Sequence, residues 1–184
     1  MAPPAQQTGG CGQLQMVAIA DGRWTSGPPI SGAIDVRYPS WSPTDDRLLV
    51  SAATTYDEGT YSRGPLLIID PDGHVLARVA DDADMLSTAN WSRDGSRLAF
   101  GRHLERGVEV NVARGDGKTP GRLAVDPGVV DGSVTHPVWS PDGRFLAVSM
   151  YASNELPHSI SIVPAEGGTA RLLIDGATDF DWTP

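Results

Sequence analysis

Three stretches of this chain superimpose residue for residue: YPSWSPTDDRLLVSA (38–52), TANWSRDGSRLAFGR (88–102) and HPVWSPDGRFLAVSM (136–150). Trp41, Trp91 and Trp139 align, followed by Ser42, Ser92 and Ser140, and Leu48, Leu98 and Leu146 fall seven residues after each Trp. A clipped fourth copy, DFDWTP (179–184), carries Trp182 in the same register. Successive Trp residues are 50, 48 and 43 positions apart. A period of that size marks a stacked supersecondary unit that cannot bury its apolar face alone.

Each copy reads as a β-hairpin. In Ser140-Pro141-Asp142-Gly143, Pro presets φ, Asp bonds its own backbone and Gly takes the left-handed slot. A short segment ending in Trp precedes the turn, and an apolar run such as Phe145-Leu146-Ala147-Val148 follows it. The rest of each period holds a second hairpin. Leu66–Ile69 leads through Asp70-Pro71-Asp72-Gly73 into His74–Val79. Val108–Val112 leads through Gly115-Asp116-Gly117 into Arg122–Val125. Ser159–Val163 leads through Glu166-Gly167-Gly168 into Arg171–Ile174. Leu14–Ile19 with Asp21-Gly22 is the same half-unit without its first hairpin, and no segment has a convincing helical period.

Four strands per period is the arithmetic of a β-propeller blade. These residues resemble the TolB-like propeller repeat, a relative of the WD-repeat propellers, whose signature is Trp-Ser-Pro-Asp-Gly before a short apolar strand. The second copy departs from it at Arg93, and the first at Thr44-Asp45. The expected fold is all-β: a propeller of four-stranded antiparallel blades over residues 14–184, behind a flexible leader at 1–13. About three and a half to four blades are present, where TolB-like propellers typically have six. The chain is then part of a longer propeller, a small closed four-bladed ring, or one of two chains that complete each other; open blade edges would favour self-association.

Composition narrows the partners. Asp plus Glu is 23 against 14 for Lys plus Arg, a net charge of -9, which argues against a nucleic-acid partner. No apolar run is long enough to span a membrane as a helix. Cys11 is the only cysteine, so an internal disulfide is excluded. Met1–Gln13 lacks the positive start and apolar core of a signal peptide.

Candidate chemistry is thin. Asp70-Pro71-Asp72-Gly73 resembles the start of a calcium loop, but the sixth and twelfth positions are Val75 and Asp81, so a hairpin turn explains it better. Gly117-Lys118-Thr119 lacks the earlier glycine of a phosphate loop and any helix to follow. No Gly-x-Ser-x-Gly elbow is present, and His74, His103, His136 and His158 form no i, i+4 pair. The reading is a non-catalytic chain with no cofactor and no metal. The aligned Trp residues are expected to pack between blades, and Trp24 stands out of their register.

In a propeller, the loops between the second and third strands of each blade share one face with the joins between blades. Here these are 54–63, 102–106 and 151–158, with joins at 32–37, 80–87, 126–135 and 175–179. They hold 11 of the 23 acidic residues, with tyrosines interleaved. Asp57, Glu58, Tyr61, Asp81, Asp82, Asp84, His103, Tyr151 and Glu155 are therefore the candidate partner-binding face. Carboxylates steer and Tyr anchors, which suits a basic protein partner. The resemblance implies a scaffold for protein–protein contacts in the bacterial cell envelope, in the periplasm or otherwise outside the cytoplasm. An alternative is the propeller domain of a larger prolyl-oligopeptidase-like serine peptidase whose catalytic domain lies outside this chain; a weaker one is a propeller that binds calcium or sugars in its channel.

Overall fold

The structure is a computed structural model, and it describes residues 14–17, 20–26, 30, 33, 35–53, 63–84, 88–103, 108–118, 122–125, 132–152, 155–177 and 180–182. The described residues form fourteen strands and no helix. A half-blade of β1 (Gln15–Val17) and β2 (Trp24–Ser26) comes first. Blade one is β3 (Asp35–Trp41), β4 (Leu48–Ala53), β5 (Arg63–Ile69) and β6 (Val75–Asp84). Blade two is β7 (Asn90–Trp91), β8 (Arg97–His103), β9 (Val108–Arg114) and β10 (Arg122–Val125). Blade three is β11 (Gly132–Trp139), β12 (Phe145–Ala152), β13 (Glu155–Pro164) and β14 (Arg171–Asp175). Strands pair antiparallel in chain order within each blade, and the bridge Ala83↔Arg102 joins blades one and two. This is the expected propeller architecture.

The repeat turns close as their residues dictate. Ser42, Ser92 and Ser140 each donate their amide to the carbonyl five residues on, at Arg47, Arg97 and Phe145. Gly95 and Gly143 sit at φ +68, where a Cβ is strained. The first copy has no glycine there; the Asp45 carboxylate takes the Arg47 amide at 3.2 Å instead.

Packing between blades explains the apolar runs. Leu49, Leu66 and Ile68 of blade one face Trp91, Leu98 and Phe100 of blade two. Leu48, Val50, Leu67 and Ile69 point the other way, into a cluster with Ile30 that Leu14 packs against. A sheet covered on both faces needs continuous rather than alternating apolarity, and β4 is buried along its whole length. Ala99 and Val110 of blade two meet Trp139, Leu146, Val148 and Val163 of blade three.

A ladder runs through these interfaces. The Trp91 indole N–H donates to the carbonyl of Ser40 at 3.1 Å, Trp139 to Asn90 at 3.2 Å, and Trp182 to Val138 at 3.2 Å. Each indole thus takes the carbonyl of the residue just before the preceding repeat's Trp. Arg47 lies 5.1 Å over the Trp91 ring and Arg97 4.7 Å over Trp139, and they donate to the carbonyls of Gly115 and Gly143.

Two expectations need correction. Trp91 and Trp139 pack between blades, 8% and 7% exposed, but Trp41 is 52% exposed and belongs to none of the buried apolar clusters. The join at 80–87 is strand as far as Asp84, because backbone pairing with β5 continues through Gly64↔Ala83 and Arg63↔Asp84 past the end of the apolar run. For the same reason strand reaches Arg102 and His103 in β8, Tyr151 and Ala152 in β12, and Glu155 in β13. The leader at 1–13 lies outside the described residues.

Candidate functional site

Antiparallel order puts the C-terminal ends of β4, β6, β8 and β12 at the same end of their blades. At that end, between blades one and two, lies a cleft of about 440 Å³ lined by Val79, Ala80, Asp81, Asp82, Phe100, Arg102 and Asn111. Val79–Asp82 come from β6, Phe100 and Arg102 from β8 and Asn111 from β9, and the single bridge Ala83↔Arg102 ties β6 to β8 beside them. Buried Val79 and Phe100 make an apolar floor.

Charge lies around that floor. Arg102 Nε donates to Asp82 Oδ1 at 2.8 Å, and its Nη1 lies 3.8 Å from Glu109 Oε1. Asp81 pairs with Arg78, three residues earlier on β6. Asn111 is buried, and its amide donates to Glu109 Oε1 at 2.9 Å. The carboxylates of Asp81, Asp82 and Glu109 outnumber the guanidinium groups of Arg78 and Arg102. The Asp81–Arg78 and Asp82–Arg102 pairs are solvated, and such pairs contribute about 0–1 kcal/mol, so an incoming cation can exchange for either arginine at little cost.

A second cluster sits at the β5–β6 turn, where Asp70, Asp72 and His74 bring ligand atoms within 4.8 Å of one another. The turn accounts for them: Gly73 donates to the Asp70 carbonyl, and His74 gives its amide to Asp70 Oδ1 at 2.8 Å and holds Nδ1 2.9 Å from Oδ2. Desolvation pulls the Asp70 carboxyl up, but the bonds from His74 outweigh it and leave it below the usual carboxylate range. The same hydrogen bond pushes the His74 imidazole up.

Of the sequence-derived candidates, Asp81 and Asp82 are brought together at the cleft. The structure places Asp84 and His103 at the ends of β6 and β8 on either side of the Ala83↔Arg102 bridge, and Tyr151 and Glu155 at the β12–β13 tip of blade three. The side chains of these four lie outside the described residues, as do Asp57, Glu58 and Tyr61 altogether. Sequence reasoning missed Phe100, Arg102, Glu109 and Asn111. Arg102 carried a signal, since the aligned positions in the other copies are Ala52 and Met150. Asn111 carried none: Val108, Val110 and Val112 alternate with Glu109 and Asn111, a pattern that reads as a solvent face and in fact faces blade one.

No family model and no curated protein matches this chain. Among solved structures, it is similar to a TolB protein from Agrobacterium tumefaciens, with a TM-score of 0.61 and 18% identity over 89% of this chain and 54% of that one. It is equally similar in fold to a chain of a nidogen–laminin complex, with a TM-score of 0.61 and 14% identity over 90% of this chain and 59% of that one. The resemblance to TolB-like propellers thus holds at the level of fold, and the chain spans little more than half the length of either structure.

Proposed function

We propose that this chain is a non-catalytic propeller scaffold that binds a basic protein partner at the acidic end of its blades, with the cleft between blades one and two as the contact point. The observation that carries this reading is the pairing of an apolar floor, Val79 and Phe100, with a surplus of carboxylate at Asp81, Asp82 and Glu109. A Lys or Arg side chain fits both, since its stem covers apolar surface while its head meets carboxylate. The net charge of -9 would speed the approach of a cationic partner and make binding salt-dependent.

The test is calorimetric titration of a lysine-rich peptide into the chain at low and high salt. Reversal of Asp81, Asp82 and Asp84 to Lys together is expected to weaken binding about tenfold or more, with circular dichroism showing an unchanged fold. Undiminished binding by the folded triple variant would sink the choice of face.

A further inference from the structure

Blade two departs from its neighbours on two cross-strand rungs. Phe100 pairs with Asn111, and Arg102 with Glu109. On the matching rungs Val50 pairs with Leu67 in blade one, and Val148 with Ser161 and Met150 with Ser159 in blade three. Asn111 is 3% exposed, yet it lines the cleft between blades one and two. Its Nδ2 donates to Glu109 Oε1 at 2.9 Å, which fixes the orientation of the amide. Asn111 Oδ1 accepts no hydrogen bond among the described residues. Buried polar atoms nearly always have partners, so an open acceptor in the wall of a cleft is a place for an incoming donor. The cleft also shows what kind of group its carboxylates hold. Arg102 sets Nε 2.8 Å from Asp82 Oδ1 and Nη1 3.8 Å from Glu109 Oε1, so one guanidinium spans both.

We infer that this cleft selects arginine over lysine in its partner: the partner's guanidinium displaces Arg102 from Asp82 and Glu109 and also bonds Asn111 Oδ1. The inference rests on the reading above that a basic partner binds here. A guanidinium is a planar fork of N–H donors with no acceptor, so it serves Asp82, Glu109 and Asn111 together. It is also more weakly hydrated than an ammonium, which lowers the cost of reaching an amide as buried as that of Asn111. Its flat face suits the apolar floor of Val79 and Phe100. Arg102 is then a placeholder supplied by the chain itself. Its pair with Asp82 is solvated, so it yields to a group that makes the same contacts and one more.

Calorimetric titration tests this with two peptides of equal length, one lysine-rich and the other carrying Arg at every Lys position. The arginine peptide is expected to bind the wild-type chain about tenfold more tightly, the worth of one further hydrogen bond from a charged donor. Asn111→Leu installs the residue of the matching rung in blade one, and Asn111→Ser that of blade three. Each is expected to cut the preference to about threefold or less, with the lysine peptide almost unaffected. Arg102→Ala removes the placeholder and is expected to tighten the arginine peptide about threefold or more. Circular dichroism melts identify which variants are folded and therefore read. Equal affinity of the two peptides for the wild type, a preference that survives loss of the Asn111 amide, or weaker binding by Arg102→Ala would each overturn the inference and leave a basic partner standing. No binding of either peptide, or binding undiminished when Asp81, Asp82 and Asp84 are reversed to Lys, would overturn that reading and the inference with it.

Discussion

Replacing Trp139 by Phe isolates one rung of the ladder. Phe keeps most of the ring that packs among Ala99, Val110, Leu146 and Val148, but it cannot donate to the Asn90 carbonyl. Loss of that bond leaves a carbonyl without its partner, a cost of about 1–3 kcal/mol. The smaller ring leaves part of a cavity, and the contact with Arg97 at 4.7 Å weakens, together adding about 1 kcal/mol. The total is about 3 kcal/mol, or about 6–12 °C in melting temperature for a chain of this size. Trp41→Phe is the internal comparison. The same substitution at a half-exposed ring with no hydrogen bond is expected to cost under about 0.5 kcal/mol. Urea unfolding of the two variants beside the wild type reads both. Equal losses at the two positions, or a loss under about 0.5 kcal/mol for Trp139→Phe, would refute the assignment of the indole bonds as the links between blades.

Other outcomes follow from the turns. A Cβ on Gly115 would stand 2.0 Å from the Gly95 carbonyl oxygen, whereas one on Gly22 meets nothing within 4 Å. Gly115→Ala is therefore expected to lower the melting temperature well beyond Gly22→Ala, which carries only the strain of its positive φ at about 1 kcal/mol; equal shifts would count against this packing of blade two. Hydrogen bonds from Ser92, and then from Ser96, hold the Asp94 carboxyl at about 2, below its ordinary 3.8. The folded pKa is the lower one, so the contribution of Asp94 to stability is present above about pH 3.8 and lost as pH falls through about 2. Asp94→Ala is expected to be less stable than the wild type at neutral pH and to converge with it as pH approaches 2, read from urea midpoints; a constant gap would contradict the cause given.

The hairpins were legible because each is local. Trp-Ser-x-Asp-Gly fixes its own turn, and the apolar runs at 66–69, 98–100 and 145–148 mark strands without reference to anything distant. What the local signal cannot carry is which face of a strand meets another blade. β4 is buried on both sides, and Asn111 lies inward on a face that reads as polar, because both depend on a neighbour about fifty residues away. The strand ends at Asp84, His103 and Tyr151 were missed because backbone pairing outlasts the hydrophobic pattern that announces it. The cleft itself depends on Arg102 reaching Asp82 from an adjacent blade, and neither residue's immediate surroundings in sequence report that contact.

The most direct test of the proposed function is a hydrogen-exchange footprint of the lysine-rich peptide on the chain. Protection concentrated at the ends of β6 and β8 and along β9, near residues 79–84, 100–103 and 109–111, is the result expected if the cleft holds the partner's cation. Protection at the Asp70–His74 turn or along exposed β14, with the cleft unchanged, would contradict it.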